Sequence, residues 1–169
     1  MTNEDSPKKL QISMSEIPDS EEAIVVYFDG LCEPKNPGGV ATYGFLIIKS
    51  GKKIHHGHGL ADAKPWTNEA SNNVAEYSAL IHALEWLLSE NYNQSPVIIR
   101  GDSKLIINQI TGIFKVKAFR IIELHEKAMN LMSNFPRIRA EWVARSENKE
   151  ADLLSRIAYS KFIKARRKE

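Results

Sequence analysis

The chain has 169 residues, of which 43% are hydrophobic and 26% charged, with a formal net charge of +2. This length supports one domain with a full core, and the composition is that of an ordinary globular protein rather than a disordered or fibrous one. No apolar run approaches the ~20 residues that cross a bilayer, so a membrane role is not expected.

Residues 1–22 hold six acids and two lysines, a net −4, and contain no apolar segment of the kind a signal peptide needs. Residues 161–169 hold five bases and one acid, a net +4. We therefore divide the chain into a flexible polar leader (1–21), a folded domain (22–160) and a basic C-terminal tail (161–169). Such polarity permits a polyanionic partner without requiring one, because helix-ending Lys/Arg clusters also suit the helix dipole. The single cysteine, Cys32, excludes an internal disulfide and fits a reducing compartment, here the cytoplasm.

The first predicted element is a strand over 23–29, Ala-Ile-Val-Val-Tyr-Phe-Asp, whose near-continuous β-branched and aromatic run predicts burial on both faces. A Pro/Gly-rich loop over 31–39 follows, then strands at 41–48 and 53–60 joined by a turn at Ser50-Gly51-Lys52. After a polar loop over 61–71, a helix starts near Ser71–Asn73, with Val74, Tyr77, Ile81, Leu84 and Leu88 as its apolar stripe. It should end before Asn91. A short strand over 97–101 leads into a helix at 103–111 that stops at Gly112. A helix over 118–133, a strand over 137–143 and a final helix over 147–165 complete the chain. The order βββ-α-β-αα-β-α predicts an α/β fold. Its five-stranded mixed sheet combines a three-stranded antiparallel meander with two parallel strands, and helices cover both faces.

Four carboxylates fall at element ends: Asp29, Glu76, Asp102 and Asp152. Each has a local explanation. Asp29-Gly30 is a turn dipeptide. Glu76 could complete a capping box begun at Asn73, Asp102 could be an N-cap, and Asp152 suits a helix dipole. Parallel neighbours ending in Asp29 and Asp102 would nevertheless place both acids at one sheet edge. Two helix starts reaching that edge would add Glu76 and Asp152. Four acids there would raise one another's pKa, and a divalent cation would resolve the conflict. Oxygen-only ligands favour Mg²⁺ or Mn²⁺ over Zn²⁺.

Four segments together resemble ribonuclease H of type 1: Tyr27-Phe28-Asp29-Gly30-Leu31-Cys32 with Asn36-Pro37-Gly38-Gly39, then Ser71-Asn72-Asn73-Val74-Ala75-Glu76, then Gly101-Asp102-Ser103, then Asn148-Lys149-Glu150-Ala151-Asp152. The similarity covers about 23–160. It implies a ribonuclease H-like fold, with Asp29, Glu76, Asp102 and Asp152 as metal-binding catalytic acids for two Mg²⁺ ions, Mn²⁺ being able to substitute. It also implies hydrolysis of the RNA strand of an RNA–DNA hybrid to 5′-phosphate and 3′-hydroxyl ends. Asn36, Asn72 and Asn73 match positions that contact the hybrid backbone, Ser71 one that holds a DNA phosphate, and Lys104 could reach a phosphate. Loop and cap chemistry accounts for the same asparagines and serine equally well. Double-stranded RNA is a further duplex to test, and a monomer is expected.

The chain departs from the well-known bacterial members in two places. Trp142-Val143-Ala144-Arg145-Ser146-Glu147-Asn148 has no histidine, so Arg145 is the candidate auxiliary catalytic residue, with an ion pair to Glu147 or Glu150 as its alternative role. The stretch 113–120, with Lys115, Lys117 and Arg120, is too short for a full basic protrusion. His55, His56 and His58 have no third ligand in view and read as an exposed edge rather than a metal site. Two other functions stay open: a non-cleaving nucleic-acid-binding module of the same fold, and a ribonuclease H domain of retroelement origin.

Overall fold

The computed structural model describes residues 22–168. Five strands form one mixed sheet in the order β3-β2-β1-β4-β5. β1 (Ile24–Glu33), β2 (Val40–Lys49) and β3 (Lys52–Leu60) are the antiparallel meander. β4 (Val97–Gly101) lies parallel to β1, and β5 (Ile138–Trp142) parallel to β4. The β2–β3 turn has positive φ at both Ser50 (52°) and Gly51 (72°), the backbone that matches the twist of a tight hairpin.

α1 (Asn72–Ser89), α2 (Lys104–Ile110) and α3 (Phe119–Met132) form one layer, and α4 (Lys149–Arg167) packs alone across β2, β1 and β3 on the other face. The core lies between the sheet and the first layer, where Phe28, Ile99, Leu80, Leu84, Ile106 and Met132 are fully buried. Helix boundaries fall within two residues of those expected from periodicity. The last helix is displaced by two residues at both ends: a 3-10 turn, Arg145–Glu147, precedes it, and it continues through Arg167. The basic segment from Lys161 to Arg167 is therefore the end of α4, continuous with its packed half.

The first strand differs from expectation in two ways that matter for the site. It does not stop at Asp29. Leu31 and Cys32 keep pairing with Thr42 and Ala41, so part of the expected loop is strand. Its parallel partner β4, however, ends at Gly101, opposite Phe28. Asp29 is thus the first residue at which β1 has lost one neighbour while the antiparallel ladder to β2 still holds it, rigid on one side and open on the other. Nor is β1 buried equally on both faces. Ile24, Val26 and Phe28 are sealed beneath α1, whereas Val25 and Tyr27, toward α4, are only half-covered.

Candidate active site

Strand register brings the first two acids together. Phe28 pairs with Gly101, so Asp29 and Asp102 are the next residues along two parallel strands, at the same edge. Two glycines then admit the helices. A Cβ on Gly30 would lie 2.5 Å from the carbonyl carbon of Ala75, so only glycine lets α1 rest on β1 there and deliver Glu76. On the other face, a Cβ on Gly44, which pairs with Asp29, would lie 2.5 Å from the Ala151 carbonyl oxygen and 2.6 Å from the Ser155 nitrogen. The same close approach brings α4 in and delivers Asp152.

For three of the four acids the local explanation does not hold. Ser71, not Asn73, caps α1, its hydroxyl accepting from the Val74 N–H at 3.2 Å, which leaves Glu76 beyond the reach of a capping box. Ser103, not Asp102, caps α2, accepting from the Ile106 N–H at 3.2 Å. Asp152 does lie in the first turn of α4, and it also receives the Arg156 Nε at 3.2 Å. Asp29 is not part of a turn, because it stands in mid-strand.

One carboxylate oxygen each from Asp29, Glu76 and Asp102 lie within 4.8 Å of one another, and Asp29 and Glu76 are only 7% and 8% exposed. Burial, then the charge of Asp102, pushes the Asp29 carboxyl up to about 7, against a 2.9 Å hydrogen bond from its neighbour, the Gly30 N–H. Burial, then the charges of Asp29 and Asp102, holds Glu76 well above the carboxylate range. Burial also raises Asp102, although Asn148 and Arg145 oppose the shift. Asp152 adds to the field at Asp29. The Glu76 Oε2 atom is buried without a hydrogen-bond partner. Crowded carboxylates that resist ionisation, with one orphaned buried oxygen among them, suit a hard divalent cation and oxygen coordination.

The remaining expected residues fall in two groups. Asn36 and Ser71 serve the start of α1: the Asn36 Oδ1 accepts from the Asn72 N–H at 3.0 Å, beside the Ser71 cap. Asn72 is exposed and Asn73 half-buried on the same end. Arg145, exposed on its 3-10 turn, lowers the pKa of both Glu76 and Asp102, so its charge acts on the acid cluster. Glu150, one of its alternative partners, instead pairs with Lys53 at 2.9 Å. The Lys104 Nζ lies 4.7 Å from the Trp142 ring centroid, stacked over its face. The histidines share β3 but take different partners. His55 stacks on Trp86 at 4.2 Å, while the His58 Nε2 lies 3.4 Å from the Lys161 Nζ.

Two residues gain roles that sequence reasoning missed. Asn148, only 1% exposed, donates its Nδ2 to the Phe28 carbonyl at 2.9 Å and to the Asp102 carboxylate at 3.4 Å, while its own carbonyl accepts from the Asp152 N–H at 3.2 Å. The side chain thus joins β1 to Asp102, and the backbone carbonyl of the same residue holds the first turn of α4. An asparagine before a helix reads as a cap, yet its side chain makes no capping bond here. Trp142 donates its indole N–H to the Asp102 carbonyl at 3.0 Å, locking the backbone that carries the acid. An aromatic at a strand end carries no signal of that task.

Comparison with known proteins agrees with this geometry. A family model described as reverse transcriptase-like matches residues 28–158. The bifunctional protein Rv2228c of Mycobacterium tuberculosis is 38% identical over 120 residues, covering 71% of this chain but 31% of that protein. The chain thus spans about a third of the length of that relative. Ribonuclease HI of Halobacterium salinarum is 30% identical over 138 residues, covering 82% of this chain and 65% of that one. A solved structure of LC11-RNase H1 in complex with an RNA/DNA hybrid superposes with a TM-score of 0.72 at 32% identity, covering 83% of this chain and 99% of that one. The chain therefore carries a ribonuclease H-like domain and belongs to the reverse transcriptase-like family.

Proposed function

We propose that the protein is a ribonuclease H, an endonuclease that hydrolyses the RNA strand of RNA–DNA hybrids and leaves 5′-phosphate and 3′-hydroxyl ends. One observation carries the reading: Asp29, Glu76 and Asp102 converge within 4.8 Å at the open edge of the sheet. The hybrid bound by the LC11 relative supports the substrate. Asp29, Glu76, Asp102 and Asp152 would hold two Mg²⁺ ions, with Mn²⁺ able to replace them. Such ions supply Lewis-acid charge for activating a water and for the departing 3′-oxygen. Asp29, on which the charges of both Asp102 and Asp152 act, would be a central member of that ligand set.

The chain's own groups do the rest. Arg145 carries a guanidinium, a group that does not serve as a base, so its role is to stabilise phosphate charge beside the acids. Asn148 and Trp142 keep Asp102 in place. Recognition reads duplex shape and the ribose 2′-hydroxyl rather than base sequence. Asn36, Asn72 and Asn73 suit this because amides both donate and accept. Ser71, at the start of α1, takes a DNA-strand phosphate with help from the helix N-terminus, and Lys104 takes a neighbouring one. The protein acts as a monomer in the cytoplasm.

The deciding assay presents labelled hybrid, RNA duplex and DNA duplex with Mg²⁺ or Mn²⁺. Cleavage of the hybrid's RNA strand is expected. Binding without cleavage would leave a non-catalytic module, and cutting of the RNA duplex would widen the substrate range.

A further inference from the structure

We propose that Trp66 and Arg166 form an outlying phosphate clamp, which grips the nucleic-acid backbone away from the scissile bond. The proposal rests on the hybrid-cleaving function above. Trp66 stands in the loop between β3 and α1 with φ +66°, a backbone conformation that a bulky side chain rarely adopts, yet the residue is 44% exposed. Strain spent on holding a large aromatic in water points to a surface task rather than to packing. The Arg166 guanidinium carbon lies 5.1 Å from the centre of that ring. Stacking orients the guanidinium fork while its N–H groups remain at the surface, the arrangement that suits a phosphate.

Two further observations connect this pair to the site. The Trp66 N–H donates to the Gly39 carbonyl at 2.9 Å, and the Gly38 N–H donates to the Ala70 carbonyl at 3.0 Å. The loop holding Trp66 is thereby tied to the one holding Asn36, whose side chain in turn bonds the Asn72 N–H at 3.0 Å. Clamp and candidate backbone contacts thus belong to one bonded unit. Second, Arg166 lies in the last turn of α4 with Lys164 and Arg167, so the stacked guanidinium sits within a local excess of positive charge.

The test measures binding of a fluorescein-labelled RNA–DNA hybrid across a salt series, in an Asp29→Asn background so that the hybrid survives. Thermal midpoints are read in parallel. Arg166→Gln should weaken binding roughly fivefold to tenfold at low salt and lower the slope of log K against log salt by about one. Trp66→Gly should weaken binding comparably while leaving the midpoint unchanged or higher, because glycine accepts the positive φ without strain. In the cleaving protein both changes should raise KM and spare kcat. Wild-type affinity and slope in both variants would overturn the clamp, as would a loss of binding that merely tracks a fall in midpoint. A parent protein that neither binds nor cuts the hybrid would overturn the proposed function itself. A parent that cuts normally beside indifferent variants would remove the clamp alone.

Discussion

The two ends of α4 handle charge in opposite ways. Its first turns, with Asn148 before them, are pressed against the sheet by the missing side chain of Gly44. There Asp152 joins acids that burial and mutual repulsion hold above their ordinary pKa. Its last turn carries Lys164, Arg166 and Arg167 into solvent, beside a helix C-terminus that favours them. Charge at the first end is crowded, dry and costly to folding. At the second it is spread, hydrated and nearly free of folding cost. Function at the packed end should accordingly trade against stability, whereas function at the solvated end should respond chiefly to salt.

The strongest way to break this comparison is Asp29→Asn. Cleavage should be abolished, since a charged ligand is lost at unchanged shape. The metal-free protein should at the same time become more stable, by roughly 2–4 °C for each kcal/mol of relieved repulsion in a chain of this size. Near-normal turnover by the folded variant would refute the assignment of Asp29 as a metal ligand.

Arg145→Ala should cost less, about tenfold to a hundredfold in kcat or ~1.4–2.7 kcal/mol, because the side chain assists without holding a metal. The pH–rate profile should lack a histidine limb near pH ~6.5, which a wild-type scan would reveal. Arg145→His should recover part of the activity that Arg145→Ala loses. A wild-type rate for Arg145→Ala across the whole pH range would return this residue to the surface.

Trp142→Phe sharpens the comparison at the packed end. It removes the N–H bond to the Asp102 carbonyl but keeps a ring beneath Lys104. A loss of a few-fold in kcat with little change in KM is expected, at the ~1 kcal/mol scale of one hydrogen bond. An unchanged kcat would show that Asp102 needs no such lock.

The smallest effect is on stability against pH. Asp29 and Glu76 have folded-state pKa values raised above their unfolded ones, so the native state binds more protons. Their contribution to stability therefore falls as pH rises from about 4 towards 7, where Asp29 ionises. Thermal midpoints of the metal-free protein should decline over that window relative to Asp29→Asn. Mg²⁺ should restore more at pH 8 than at pH 5, because it binds the ionised acids. Parallel pH curves for the two proteins would contradict the crowding.

Much of this architecture is legible in the amino-acid order. Alternating and continuous apolar runs specify five strands and four helices, because periodicity reports directly which faces leave water. The Ser50-Gly51 turn follows from local backbone preference alone. The four acids and their order along the chain are likewise sequence facts, and resemblance assigned them a task. What the linear chain could not express is where one element ends relative to another. Asp29 looked like the end of a strand, but it is a mid-strand residue whose parallel neighbour stops early. Gly30 looked like half of a turn and Gly44 carried no signal, yet each is the seat of a different helix, which only packing against a distant segment creates. Asn148 bonds a carbonyl 120 positions away, and Trp66 meets an arginine at the far end of the chain. Local sequence sets periodicity and caps through short-range forces. Contacts between segments far apart in the chain are decided by how whole faces pack, and the site is built from those contacts.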